Sequence, residues 1–484
     1  MDQSPNFPGM ALFTLLLVST GCAVGPNYKR PSVAAPPAFK EQTPVNFKEA
    51  EAAGWKQSQP GDAYSKGRWW ELYNDTALNA LEERVNVSNQ NVLEAEAQYR
   101  GAKAAVSVAR AALSPTVTTA PAATFARGAT SASTSGTSGS PKSFTLPFNV
   151  SWEPDLWGNI RRGVTASAAT AQSLAANVGN ARLLYQAELA QDYFGLHGND
   201  GEAELLARME ASYKEYVTLT GNRASAGVAS DLDVAEAETQ LYAIQSQLMD
   251  LGVQRAAFEH AIAILIGEPP ADLAIPPAML NASPPAVPLG LPSELLERRP
   301  DIASAERQVA AANEQIGIAM AAFYPNLSLT GSTGAESSSL AKWFTWPSRF
   351  WSVGPQLAET LFDAGRRRGV VVEQEAAYDA TVAAYRETVL TAMQQVEDNL
   401  AALRILAGEA DKVQQTIQAA NRALEISSAR YRSGTADYLT VITAQATLLN
   451  ADVTAITLLT RRLSASVLLI EGLGGGWNAS QFPK

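Results

Sequence analysis

Residues Tyr378–Leu406 read YDATVAAYRETVLTAMQQVEDNLAALRIL, and the spacing of their apolar side chains decides the fold class. Those side chains fall at Tyr378, Val382, Tyr385, Val389, Met393, Val396, Leu400, Leu403 and Leu406, and resume at Val413, Ile417, Ala420 and Leu424. Steps of three and four place them on one stripe of an α-helix, close to the repeat of about 3.5 residues used by coiled coils. No proline occurs between Pro355 and Pro483, nor between Pro154 and Pro269. Proline costs about 3 kcal/mol inside a helix, so both stretches are expected to hold long helices. A helix from about Gly365 to Arg432 would be roughly 100 Å long at about 1.5 Å per residue. That length suits a tunnel or a stalk, although a plain soluble coiled coil shows the same pattern.

Two other stretches keep a period of two. Phe144, Leu146, Phe148, Val150 and Trp152 alternate with Thr145, Pro147, Asn149, Ser151 and Glu153. Leu327 and Leu329, then Trp351, Val353, Pro355 and Leu357, repeat the rhythm, and Val117 and Thr119 continue it weakly. Apolar-out, polar-in alternation marks the wall of a transmembrane β-barrel, with Trp152, Trp343, Trp346 and Trp351 available for an interfacial girdle. A half-buried soluble sheet uses the same alternation. Thr130–Ser140 and Gly334–Ser339 are rich in small and polar residues and suit exposed loops. Four strands cannot close a barrel with an interior, and open edges cannot sit in lipid. Membrane insertion would therefore require several copies of the chain.

The sequence also repeats itself. Ala112–Pro115 corresponds to Ala322–Pro325, Leu156–Gly163 to Leu361–Arg368, and Arg223–Gly227 to Arg430–Gly434. Leu232 and Val234 match Leu439 and Val441, and Ile266-Gly267 matches Leu473-Gly474. Each copy reads helix, hairpin, long helix, tight turn, helix. The expected organisation is a lipoprotein signal peptide at 1–21 and an N-terminal strap at 22–67. A first repeat at 68–270 has its hairpin at about 115–156, and a Pro-rich linker covers 271–292. A second repeat at 293–475 has its hairpin at about 325–362, and a tail covers 476–484.

Composition narrows the function. The 484 residues are 46% hydrophobic and carry a formal charge of −11. An acidic chain is a poor partner for nucleic acid, whose phosphates need a basic surface. It is compatible with a cation-favouring lumen, and equally with ordinary solubility charge. One cysteine, Cys22, and two histidines, His197 and His260, leave no internal disulfide and little material for a zinc site or a His-assisted nucleophile. No enzyme, metal or cofactor is expected beyond a covalent lipid. The glycines at 472, 474, 475 and 476 follow a helical pattern and read as a helix stop, not a phosphate loop.

Near the N-terminus, the apolar run Met10–Val18 is too short to span a bilayer. Ser19, Thr20, Gly21 and Cys22 follow, the layout of a secretory signal ending at a lipidated cysteine. The alternative is an ordinary signal peptide with an incidental cysteine. Ala23, with no Asp in its place, is compatible with onward export to the outer membrane.

Several segments together carry a resemblance. Cys22–Pro31 (CAVGPNYKRP), Trp69-Trp70-Glu-Leu-Tyr73, Glu297-Arg-Arg-Pro-Asp-Ile302, Ala311-Ala-Asn313 and Ala321–Asn326 (AAFYPN) stand in order. The chain resembles the outer-membrane efflux channel family (TolC-like), in its lipoprotein branch, over nearly all its mature length. The resemblance implies a mainly α protein with a transmembrane β-barrel: a homotrimer whose twelve-stranded barrel stands on a helical periplasmic tunnel. It implies passive export in the cell outer membrane, with a periplasmic adaptor protein joining the duct to an inner-membrane transporter. It places Asp233 and Tyr431 at a periplasmic gate, with Asp231, Glu236 and Asp437 nearby. It also places an adaptor-binding tip at Gly227, Val228, Ala229 and Ser230, and at Ser433, Gly434 and Thr435. Each has an ordinary reading as well: acids gather at helix N-termini, and glycines end helices. Thr440 and Thr443 stand where related channels often carry Asp, which implies a less acidic gate. Arg366, Arg367 and Arg368 read as a water-facing collar. A non-conducting trimeric stalk or adhesin is the rival reading, and an envelope hydrolase a weaker one.

Overall fold

The structure, a computed structural model, describes residues 23–33, 35–41, 67–126, 142–285, 287 and 295–477. The signal at 1–21, the anchor Cys22 and the Thr130–Ser140 loop lie outside the described residues, as do most of the strap and parts of the linker and tail. The helices are α1 (Thr76–Ser88), α2 (Gln90–Ala111), α3 (Asn159–Ser225), α4 (Asp231–Leu265), α5 (Leu295–Arg298), α6 (Pro300–Ala321), α7 (Arg366–Arg432) and α8 (Tyr438–Gly472). The proline-free stretches are the long helices: α3 and α7 have 67 residues each, α4 and α8 have 35 each. Along α7, every position of the predicted stripe is buried or half-buried; Tyr385, Val389 and Val396 are sealed completely.

The chain separates into two compact units. One gathers Met1–Ser32, Tyr99–Leu174 and Ala305–Tyr385 and holds the only sheet among the described residues. Its segments are β1 (Thr116–Thr119), β2 (Ala122–Phe125), β3 (Lys142–Trp152), β4 (Asn326–Ser337) and β5 (Arg349–Ala358), all paired antiparallel. Five segments make four rows. Thr116 pairs with Ser151 and Ala122 with Thr145, so β1 and β2 lie in one register along β3. The break falls at Pro121, which has no N–H to offer the ladder, and Pro147 of β3 stands beside the same gap.

Register makes the sheet two-faced. Phe148, Thr333 and Trp351 stand opposite one another, and so do Val150, Gly331 and Val353. The alternate face carries Asn149, Ser332 and Ser352, with Ser332 Oγ donating to Asn149 Oδ1 at 2.8 Å. On the apolar face, Trp351 and Val353 are each 79% exposed. The tryptophans divide into two bands instead of one girdle. Trp343, Trp346 and Trp351 lie toward the β4–β5 connection, whereas Trp152 ends β3 and donates to the Leu113 carbonyl at 3.0 Å. Near Trp152, Trp157 stacks on Tyr324 at 4.7 Å and donates to the Pro325 carbonyl at 2.8 Å.

In the same unit the first strap residues lie on α6. Val24 N–H donates to the Trp157 carbonyl at 3.1 Å, Asn313 Nδ2 donates to the Pro26 carbonyl at 3.2 Å, and Tyr28 donates to Glu306. Gly25 (φ +103°) approaches so closely that a Cβ there would lie 2.6 Å from Gly317 Cα. The Asn of the Ala-Ala-Asn313 motif is thus a strap clasp.

The other unit gathers Val33–Gln98, Ala175–Ser304 and Arg386–Lys484. Trp69, Trp70, Tyr73 and Phe194 are buried at its centre, with the Tyr73 and Phe194 rings 4.9 Å apart and Tyr73 Oη 2.7 Å from Ser466 Oγ. The strap reaches this unit too: Glu397 accepts from the Lys40 and Glu41 backbone N–H groups at 2.6 and 2.9 Å. Arg299 of the Glu-Arg-Arg-Pro-Asp motif forks onto Asp301 at 3.0 and 2.6 Å and donates to the Gly472 carbonyl at 2.9 Å. It thereby satisfies one of the carbonyls that the end of α8 leaves open. The expected glycine stop is there, with Gly474, Gly475 and Gly476 all at positive φ.

Helix α8 is long and apolar enough to cross a membrane by length and composition alone. Its buried positions, among them Val441, Leu463 and Val467, are instead taken up by the core of this unit. Beside Arg299, burial pushes the Glu471 carboxyl up to about 7, with Arg299 opposing the shift and Asp301 adding to it. A carboxyl raised above its unfolded value holds its proton only in the folded chain. Stability is therefore full at and below the usual carboxylate range and is lost as pH rises toward 7 and above. Glu471→Gln is expected to raise stability by roughly 2–3 kcal/mol at pH 8 and to change little at pH 4.5. Thermal unfolding followed by circular dichroism at the two pH values checks this; an equal gain at both would remove the titration as its cause.

Candidate functional site

The second unit contains two helical turns, α3 into α4 and α7 into α8. Each helix ends on a glycine in the left-handed region, Gly227 and Gly434, both at φ +73°. Val228 N–H donates back to the Arg223 carbonyl at 2.8 Å, and Thr435 N–H to the Arg430 carbonyl at 2.9 Å. This six-to-one closure satisfies open carbonyls and needs a residue without a Cβ at the positive φ. Gly227, Val228, Ser230, Ser433, Gly434 and Thr435 are exposed, and Ala229 is half-buried.

The acids begin the returning helices. Ser230 caps α4: its Oγ accepts from Asp233 N–H at 3.2 Å, while Asp233 Oδ2 accepts from Ser230 N–H at 2.8 Å and from Ser230 Oγ at 3.0 Å. This is a capping box with Asp in the third position. Asp437 caps α8, accepting from Thr440 Oγ1 at 2.5 Å and Thr440 N–H at 3.3 Å. The Thr440 side chain, then its backbone N–H, holds the Asp437 carboxyl below its usual range. Asp231 is exposed in the first turn of α4. Glu236 lines a groove of about 350 Å³ with Leu232, Ala235, Thr239, Leu439 and Ile442.

Among the described residues of one chain, no hydrogen bond joins Asp233 to Tyr431. One oxygen of the Asp233 carboxylate, Oδ2, serves the capping box. The Tyr431 ring lies 5.5 Å from Tyr438 and beneath the Arg223 guanidinium at 5.0 Å. Sequence reading did not single out Arg223, Tyr216 or Tyr438 as site residues. The available signal was the helical spacing of Tyr213, Tyr216 and Arg223. It does not say which partner helix they meet.

The described residues define a mainly helical protein that carries an antiparallel sheet with one exposed apolar face. Comparison with known proteins agrees with that class. A family model described as outer membrane efflux protein matches residues 81–268 and 291–475. OprJ, an outer membrane protein of Pseudomonas aeruginosa, is 32% identical over 98% of this chain and 97% of its own. The solvent efflux pump outer membrane protein SrpC of Pseudomonas putida is 30% identical over 98% of this chain and 100% of its own. The solved structure of the outer-membrane channel OprN superposes with a TM-score of 0.85 at 29% identity, covering 94% of this chain and 100% of that one. The chain belongs to the outer membrane efflux protein family, a family of transport proteins, and its place is the outer membrane.

Proposed function

We propose that three copies of this chain form the outer-membrane duct of a tripartite efflux system. The observation that carries this reading is the four-row sheet, apolar and exposed on one face, polar on the other, with its two outermost rows unpaired on their outer sides among the described residues. Such edges cannot face lipid, and joining three sheets edge to edge closes twelve strands into a barrel. The polar face then lines the lumen. Tyr242, Met249, Val253 and Ile264 form an exposed apolar stripe on α4, which neighbouring copies would cover. The equal lengths of α3 and α7, and of α4 and α8, support an internal duplication of repeats at 68–270 and 293–475, linked by 271–292.

Export is passive: an inner-membrane transporter supplies the energy, and a periplasmic adaptor links it to the exposed tip at Gly227–Ser230 and Ser433–Thr435. Three copies of Asp231, Asp233, Glu236 and Asp437 would give that mouth an acidic, cation-attracting rim. Cys22, released from the signal at 1–21, would carry the lipid; the clasp of residues 23–28 on α6 would hold that anchor near the end of β3. The duct needs no cofactor and catalyses no reaction. Mass measurement of the detergent-solubilised protein, followed by single-channel recording in planar bilayers, tests the reading. Trimers that carry an ionic current are expected. A monomer removes the barrel, and inserted trimers without current favour the stalk.

A further inference from the structure

The tip contains a continuous stack of side chains that runs between its two helical hairpins. The Arg223 guanidinium lies 5.0 Å from the centre of the Tyr431 ring. Tyr431 meets Tyr438 at 5.5 Å and 49°, and Tyr438 meets Tyr216 at 5.3 Å and 43°. Arg223 and Tyr216 belong to α3, Tyr431 to α7 and Tyr438 to α8. The stack therefore starts and ends on the first hairpin and passes through both helices of the second.

Two features make ring faces, not hydroxyls, the binding element. Tyr438 is 2% exposed and its hydroxyl finds no hydrogen-bond partner among the described residues. Ala237, Val441 and Ile442 surround it, with Val217 and Leu424 packed alongside, so the stack is dry on this side. Arg223 is held by its own turn, since its carbonyl accepts from both Val228 and Ala229 N–H at 2.8 and 3.2 Å. Opening one hairpin away from the other would have to pull the guanidinium off the Tyr431 ring. A cation over an aromatic face is attracted by the ring quadrupole, and the attraction strengthens where water is excluded.

We propose that Arg223 is a gate residue, and that a cation–aromatic stack, Arg223 on Tyr431 on Tyr438 on Tyr216, latches the two hairpins of each chain at the periplasmic tip. The proposal rests on the reading of the chain as an export duct. It assigns to Tyr431 its ring, and it leaves Asp233 as a helix cap and rim charge with no part in the latch inside a chain.

Single-channel recording of the trimer distinguishes the possibilities. Arg223→Gln and Tyr431→Leu are each expected to raise the open probability about fivefold or more, since every chain loses the contact. Arg223→Lys is expected to fall between Arg223→Gln and wild type, because an ammonium keeps the charge but not the flat face. Tyr431→Phe keeps the ring and is expected to match wild type. A Tyr431→Phe channel as open as Tyr431→Leu overturns the proposal in favour of a hydroxyl latch. So does an Arg223→Gln channel indistinguishable from wild type. Absence of current from all the trimers, wild type included, removes the duct and the latch together.

Discussion

Val353→Arg is expected to abolish stable insertion into the outer membrane, whereas Ser332→Arg should leave the protein inserted and lower its conductance. Val353 sits midway along β5, opposite Gly331, and is 79% exposed on the apolar face. Arginine on the lipid face of a barrel near the bilayer midplane costs about 2–4 kcal/mol. In the proposed trimer the cost would fall on every copy, so a penalty of that size per chain would be enough to shift assembly. Ser332 lies one position along β4, on the opposite face, bonded to Asn149 and opposite Ser352. In the proposed barrel an arginine there would enter an aqueous lumen, where it would keep its hydration and repel cations. Fractionation of outer membranes and single-channel recording check the pair. Equal tolerance of both substitutions would mean that the sheet does not stand in lipid.

Arg299→Ala is expected to cost about 3 kcal/mol, because it removes a buried cation that donates to a half-buried carboxylate and to a helix-end carbonyl. The side chain is only 8% exposed and serves both the Asp301 carboxylate and the Gly472 carbonyl. Its loss strands the end of α8 and leaves Asp301 without its fork. It also removes the cation that restrains Glu471, so the pH-dependent loss of stability should move to higher pH. Arg299→Lys should recover only part of the loss, because an ammonium cannot bind both carboxylate oxygens in a fork. Thermal midpoints measured across pH 5 to 9 check both effects. A midpoint equal to wild type would show that the Arg299 contacts contribute nothing to stability.

Much of this molecule is written locally. The stripe from Tyr378 to Leu424 and the empty proline record specify α7, because helix burial repeats along one chain with a fixed step. The alternation at Phe144–Trp152 specifies a two-faced strand for the same reason, with a step of two. Gly227 and Gly434 specify their turns through a backbone conformation that other residues resist. What stayed hidden depends on which residues meet across space. Pro121 interrupts β1 and β2 without changing their register, since β3 holds both to one ladder. The four tryptophans occupy two levels, because register and not sequence distance sets height along a sheet.

The tip shows the division most sharply. Sequence by itself determined that Asp233 and Asp437 stand at helix starts and that Tyr431 stands at a helix end. Only the tertiary structure decided their partners. A carboxylate within reach of its own helix's free N–H groups satisfies them at little entropic cost, so Asp233 turns to Ser230. Tyr431 is left to the nearest cation and ring that packing delivers, Arg223 and Tyr438, and no local pattern in the sequence could have named either.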